Sequence, residues 1–176
     1  ISPNGRYATH SFSNHNTPPV REWITLPDHK PIKASKSITS TIKTDDRNDV
    51  EYLRTTTSDN IILDAWINKP KNFDSTKKYP VVFYVYGEPA SSTVQDRYGD
   101  HNNFLYKGDM RADGYIQVAI DNRGTPMLKG AAWRKSIYRK VGEVNVIDMA
   151  NGFKRLLELY PYLDRDRTAV WGWSGG

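Results

Sequence analysis

Near the end of this 176-residue sequence, a short apolar run, Ala169-Val170-Trp171, leads into Gly172-Trp173-Ser174-Gly175-Gly176. Gly-x-Ser-x-Gly after a strand is the pattern of a nucleophile elbow, which holds a serine on a tight turn before a helix. A serine hydroxyl attacks a carbonyl only when a base takes its proton, so the chemistry this pattern points to is acyl transfer assisted by a histidine. Gly172 and Gly176 lack the Cβ atoms that would crowd such a turn, and Gly175 lets the backbone approach closely. The competing reading is an ordinary turn, because glycine and serine gather in turns of every kind. The apolar strand before the motif, itself preceded by a long amphipathic segment, favours the nucleophile.

A serine of this kind also needs hydrogen-bond donors for the oxyanion of the tetrahedral intermediate. The backbone N–H of Gly175, the residue after the serine, is one expected donor. The other should come from a loop that follows an earlier strand. The stretch FYVYGEPASS (Phe83 to Ser92) leaves an apolar run at Tyr86-Gly87. On the residues alone, Tyr86 is either that donor or a tyrosine packed at a strand end.

The elements that would position these groups are legible as patterns. YPVVFYVYG (Tyr79 to Gly87) and YIQVAIDNRG (Tyr115 to Gly124) are nearly continuous apolar runs, as in strands covered on both faces of a parallel sheet. NIILDAWINKP (Asn60 to Pro70) reads as a further strand, and RTAVWGW as the last. From Glu143 to Tyr160, apolar residues fall at helical spacing on Ile147, Ala150, Phe153, Leu157 and Tyr160. Gly152 costs that helix about 1 kcal/mol against alanine without ending it. Strands alternating with helix-length segments give an α/β architecture with a mostly parallel sheet. The first fifty residues differ. A Pro-Asn-Gly turn opens a short strand within Ser2 to Ser13, REWITLP (Arg21 to Pro27) is a second, and DHKPI makes another turn, as in an antiparallel blade or meander. The charged stretch KTDDRNDV (Lys43 to Val50) marks a boundary between residues 1–48 and 49–176.

Twenty-five Lys and Arg against 20 Asp and Glu leave a formal charge of +5, much of it on Lys30, Lys33, Lys36, Lys43 and on Arg134, Lys135, Arg139, Lys140. No recognition helix or RNA-binding motif is interleaved with these residues, so the charge reads as solvated surface rather than a nucleic-acid site. With no Cys there is no disulfide framework, thiol nucleophile or Cys-based zinc site. No Walker or dinucleotide glycine loop and no His-Glu-x-x-His pattern is present, so neither a cofactor nor a metal is implied. No apolar run in these residues is long enough to span a membrane.

The stretches YPVVFYVYGEP, AIDNRGTP, WRKSIYRKVGEVNVIDM and AVWGWSGG, taken in order, resemble the prolyl oligopeptidase group of serine peptidases, most closely its dipeptidyl-peptidase IV-like branch. They cover roughly Asp49 to the end, and SPNGRYATHSFSNHNTPP is similar to the last blade of that family's β-propeller. The resemblance implies a partial α/β-hydrolase domain over residues 49–176, preceded over residues 1–48 by the end of the propeller. It implies Ser174 as nucleophile, with the Tyr86 hydroxyl and the Gly175 N–H as oxyanion donors. It implies a peptide substrate, cleaved after proline or alanine with release of N-terminal dipeptides, and a periplasmic or extracellular setting. It leaves homodimerisation of the full-length protein open. The acid and base of an α/β-hydrolase triad follow the serine in the chain. Here His10, His15, His29 and His101 all precede Ser174, and the expectation is surface histidines and an inactive fragment of a longer enzyme. An inactive scaffold of the same fold, or an oligopeptidase or acylaminoacyl-type peptidase, are the alternatives. Two departures stand out: Glu88 where the family more often has glycine, and Gly175 where many members have tyrosine. Asp121 and Arg123 read as a charge pair anchoring their loop beside the site, with contact to substrate as the alternative, and Asp148 as an anchoring or surface carboxylate rather than a catalytic one.

Overall fold

The computed structural model describes residues 1–34 and 50–176. Lys36, Lys43 and nearly all of the charged boundary stretch lie outside the described residues. The chain divides into two compact units, Ile1–Asn48 with Asp96–His101, and Asp49–Gln95 with Asn102–Gly176.

In the first unit, β1 (Tyr7–Asn14), β2 (Thr17–Thr25) and β3 (Pro31–Ala34) form an antiparallel sheet in that order. The Pro-Asn-Gly turn before β1 is closed by the Asn4 carboxamide, which accepts from Ser2 Oγ and from the Arg6 N–H. β2 starts four residues earlier than its apolar pattern suggests. Pro18 and Pro19 fall where the β1–β2 register shifts and beyond the reach of β3, so their missing N–H groups cost no ladder bond. Pro31 and Ile32, read as turn, open β3. Of the histidines, His10 pairs with Glu22 directly across the sheet at 2.9 Å. His101 is fully buried rather than on the surface, edge-on to the His15 ring with centroids 6.4 Å apart. His15 Nδ1 lies 2.7 Å from Asp96.

The second unit holds a five-stranded sheet of β4 (Val50–Thr56), β5 (Ile62–Asn68), β6 (Tyr79–Val85), β7 (Ile116–Asp121) and β8 (Leu163–Gly172), in the order β4-β5-β7-β6-β8. The sheet is parallel over β7-β6-β8 and antiparallel over β4-β5-β7. Every residue of β7, the centre strand, is buried, which is why its sequence up to Asp121 is apolar except at Gln117. Leu63, Ala65 and Ile67 of β5, Val81 and Phe83 of β6, and Ile116, Val118 and Ile120 of β7 share one face and form the core. Two helices, α1 (Gly130–Lys135) and α2 (Val144–Leu159), lie between β7 and β8 in the chain.

The α2 helix covers the core with Met149, Phe153 and Leu156, the Phe153 ring 4.0 Å from that of Phe83. The helix is where the apolar spacing places it, but the buried face is rotated. Ile147 is 54% exposed and Ala150 is exposed, whereas Asn145, Asp148, Met149, Gly152, Phe153 and Leu156 face inward. Apolar periodicity passes over this face because half of it is polar or glycine. Gly152 is there for closeness: its carbonyl accepts the Thr55 hydroxyl at 3.2 Å, and a Cβ on it would lie 2.8 Å from Ile120 Cδ1.

Candidate active site

β8 runs beside β6, pairing Val82 with Ala169, Tyr84 with Trp171 and Val85 with Gly172, so both strands end at the same edge of the unit. The Tyr84 and Trp171 rings stack with centroids 4.4 Å apart, which ties the two strand ends together. Past Gly172 the chain turns, and the Gly176 N–H donates to the Trp173 carbonyl at 3.1 Å. Ser174 sits inside this turn at φ +58°. A left-handed backbone costs a residue with a Cβ about 1–3 kcal/mol and persists only where its surroundings enforce it.

The surroundings are the glycines. A Cβ on Gly172 would lie 2.8 Å from the Gly176 carbonyl oxygen, and one on Gly176 would lie 2.6 Å from the Val85 carbonyl carbon and closer still to its oxygen. Both sites are closed by backbone. A Cβ on Gly175 would meet the Glu88 side chain first, 2.8 Å from Oε1 and nearer to Cγ and Cδ. The segment Val85–Glu88 therefore lies directly against the elbow, and Tyr86 is carried between these two contacts. Tyr86 is half-buried. Among the described residues, the Tyr86 hydroxyl, the Ser174 Oγ and the Gly175 N–H make no hydrogen bond. The nucleophile candidate and both oxyanion-donor candidates are thus unspent and sit on adjoining turns.

What holds the Tyr86 loop is a set of residues to which the sequence reading gave no part in placing Tyr86. Gly87 has φ +81°, and a Cβ on it would lie 3.0 Å from Asn145 Nδ2 of α2. Its carbonyl accepts from Asn122 Nδ2 at 3.2 Å, and the Pro89 carbonyl accepts from Arg134 at 2.8 Å. Arg134 also donates to the Gly124 carbonyl, so it bridges the two loops. Further along, the Asp121 carboxyl accepts the Thr93 N–H at 2.7 Å, the Thr93 hydroxyl at 3.0 Å and the Val94 N–H at 3.1 Å. The signal for Asn122 and Asp121 was present: polar residues closing a largely apolar strand must satisfy something buried. Asn145 and Arg134 carried no such mark.

The expected pairing of Asp121 with Arg123 is therefore corrected. Asp121 faces the Thr93 loop, and burial pushes its carboxyl above the ordinary value despite the N–H groups it accepts. β7 ends at Asp121, so Arg123, two residues on, is no longer held to the face that strand alternation would give it, and it reaches instead the buried Asp148 of α2. Its Nη2 lies 2.7 Å from Asp148 Oδ1, its Nε 3.0 Å from Oδ2, and its backbone N–H donates to Oδ2 at 2.8 Å. Asp59 adds a second contact at 3.1 Å. The hydrogen bond to Asp148 raises the Arg123 guanidinium pKa still further above its already high value. Asp148 is an anchor, as one of its two readings had it. The loop carrying Tyr86 and the helix before the elbow are thus locked to the same strand end.

No histidine lies in the unit that carries Ser174. Among the described residues, no group of three or more His, Cys, Asp or Glu side chains could hold a metal ion, and no helix is long and apolar enough to cross a membrane.

Residues 104–176 match the model of the prolyl oligopeptidase family. A probable dipeptidyl-aminopeptidase B of Ajellomyces capsulatus is 39% identical over 122 residues, covering 67% of this chain and 12% of that protein. A probable dipeptidyl-aminopeptidase B of Emericella nidulans is 36% identical over 127 residues, 72% of this chain and 13% of that protein. Among solved structures, dipeptidyl peptidase 4 of Porphyromonas gingivalis superposes with a TM-score of 0.84 at 29% identity, covering 99% of this chain and 24% of that one. The Pyrococcus horikoshii acylaminoacyl peptidase superposes with a TM-score of 0.70 at 21% identity over 94% of this chain and 25% of that one, a likeness of fold. The match to the curated relatives spans only about an eighth of their length. The fold is that of a partial α/β-hydrolase preceded by a propeller-blade-like antiparallel segment, as the sequence resemblance implied.

Proposed function

Because this chain belongs to the prolyl oligopeptidase family of serine peptidases, on its dipeptidyl-peptidase IV-like side, we propose that the whole protein releases N-terminal dipeptides with proline or alanine at the penultimate position. In this reading residues 1–48 are the end of a propeller and residues 49–176 the first part of the peptidase domain. Ser174 Oγ attacks the carbonyl carbon after the second residue. Its proton passes to a histidine base and from there to the departing amine as the peptide C–N bond breaks. Water then hydrolyses the acyl-enzyme by the reverse proton route. The developing oxyanion is held by the Gly175 N–H and the Tyr86 hydroxyl.

The observation that carries the proposal is Ser174 at φ +58° at the end of a parallel strand, with an unengaged Gly175 N–H and the Tyr86 loop packed against the turn. The triad acid and base come from outside these 176 residues, so the chain alone is inactive. The test compares Gly-Pro-anilide with its N-blocked form on the whole enzyme. Hydrolysis of the free-amine substrate supports the dipeptidyl reading. Preference for the blocked one assigns the protein to the oligopeptidase or acylaminoacyl type.

A further inference from the structure

Glu88 follows Gly87 on the loop that carries Tyr86, and its side chain lies over Gly175, with Oε1 2.8 Å from where a Cβ would stand. Gly175 is the residue whose N–H faces the developing oxyanion in the reading above. Gly175 itself has no side chain to occupy the space beside the serine. The volume is filled from the loop, by a carboxylate. That carboxylate makes no hydrogen bond or ion pair among the described residues. The nearby cations are engaged elsewhere: Arg134 on the Pro89 and Gly124 carbonyls, Arg123 on Asp148 and Asp59.

A half-buried negative charge beside the oxyanion donors opposes the charge that builds up during attack. It does so unless something neutralises it, and no group of the described residues does. We infer that Glu88 is a specificity-determining residue, and that it selects peptides carrying a positive charge next to the scissile bond. This rests on the dipeptidyl reading. The N-terminal ammonium of such a substrate stands a full residue before the proline or alanine, so a cation beside the scissile bond belongs to the residue after it, a lysine or arginine on the departing side. That residue is present only until the acyl-enzyme forms, so the selection acts on kcat/KM and leaves deacylation untouched.

The experiment measures release of Gly-Pro from Gly-Pro-Lys amide, Gly-Pro-Gln amide and Gly-Pro-Glu amide by the whole enzyme and its Glu88→Gln variant. Glu88→Gln keeps the shape that fills the space over Gly175, and its thermal midpoint checks the fold. The wild type should prefer the Lys peptide over the Gln peptide by about fivefold, the upper range for a half-exposed ion pair. That preference should shrink as salt rises from 50 to 500 mM. In Glu88→Gln the ratio should fall to about one, and the Glu peptide should be cleaved faster than by wild type. The same Lys-to-Gln ratio in both proteins overturns the inference while leaving the dipeptidyl reading intact. Failure to release Gly-Pro from any of the three peptides, with Ser174 still labelled by a fluorophosphonate, overturns the dipeptidyl reading and with it the place of the cation.

Discussion

Substituting alanine at the three elbow glycines separates a turn closed by backbone from one closed by a movable side chain. At Gly176 the added methyl would stand 2.6 Å from the Val85 carbonyl carbon, at the last pair of the β6–β8 ladder. Neither strand can retreat without breaking the register that puts Val85 beside Gly172. The cost should reach or exceed the upper end of the usual 1–3 kcal/mol for overpacking. Gly172→Ala meets the Gly176 backbone at 2.8–2.9 Å and should cost about as much. At Gly175 the nearest obstacle is Glu88, a half-exposed side chain with rotatable bonds and no partner among the described residues to lose. Moving it to another rotamer should cost about 1 kcal/mol of stability, read as a lower urea midpoint. Adding Glu88→Gly should return that loss in the double variant, whereas it should do nothing for Gly176→Ala. The assay is the rate of fluorophosphonate labelling at Ser174 in the whole enzyme, alongside urea midpoints for each variant. If Gly176→Ala is tolerated as well as Gly175→Ala, or if Glu88→Gly fails to restore Gly175→Ala, the geometry assigned to the elbow is wrong.

Other outcomes are expected. Tyr86→Phe should keep the fold and lower kcat by about 10²–10³-fold, the usual loss for one oxyanion donor; a change under threefold would return Tyr86 to packing. Asp148→Ala leaves the Arg123 guanidinium without its principal partner and should cost about 3–5 kcal/mol in denaturant unfolding. Gly152→Ala gains about 1 kcal/mol of helix propensity but meets Ile120 at 2.8 Å and Leu63 and Thr55 at 3.3 Å, so it should be net destabilising. Burial holds the Asp121 carboxyl above 3.8, so the folded state keeps a proton over a window in which the unfolded chain has lost it. Stability must then fall as pH rises from 3.8 through the raised value. Asp121→Asn should flatten that part of the pH–stability curve relative to wild type.

Residues that act through local pattern were readable from the sequence, and those that act through a partner far along the chain were not. β7 and the helix α2 announced themselves because burial on both faces, or on one, leaves a continuous or periodic apolar trace. Ser174 announced itself because a left-handed serine between close-packed backbones needs glycines at fixed offsets. The inward face of α2 was misjudged because Asn145 and Asp148 are buried for their hydrogen bonds, to Gly142 and to Arg123, and hydropathy takes no account of such reasons. Asp121 and Arg123 were noticed as a charged turn, but which partners they take depends on the Thr93 loop and α2, 28 residues before and 25 residues after. Glu88 and Gly175 were each noticed as a departure from the family. Only the structure shows that they are two halves of one, since it places the side chain of the first in the space left by the second.

The central claim is that Ser174 is an activated nucleophile. Treating the whole enzyme with a fluorophosphonate and mapping the adduct by peptide mass spectrometry tests it directly. A single adduct on Ser174, absent from Ser174→Ala and formed faster as pH rises through the range where histidine loses its proton, is the predicted result. An unlabelled Ser174 in folded protein that still hydrolyses Gly-Pro-anilide, or an adduct on another residue that abolishes activity, would contradict it.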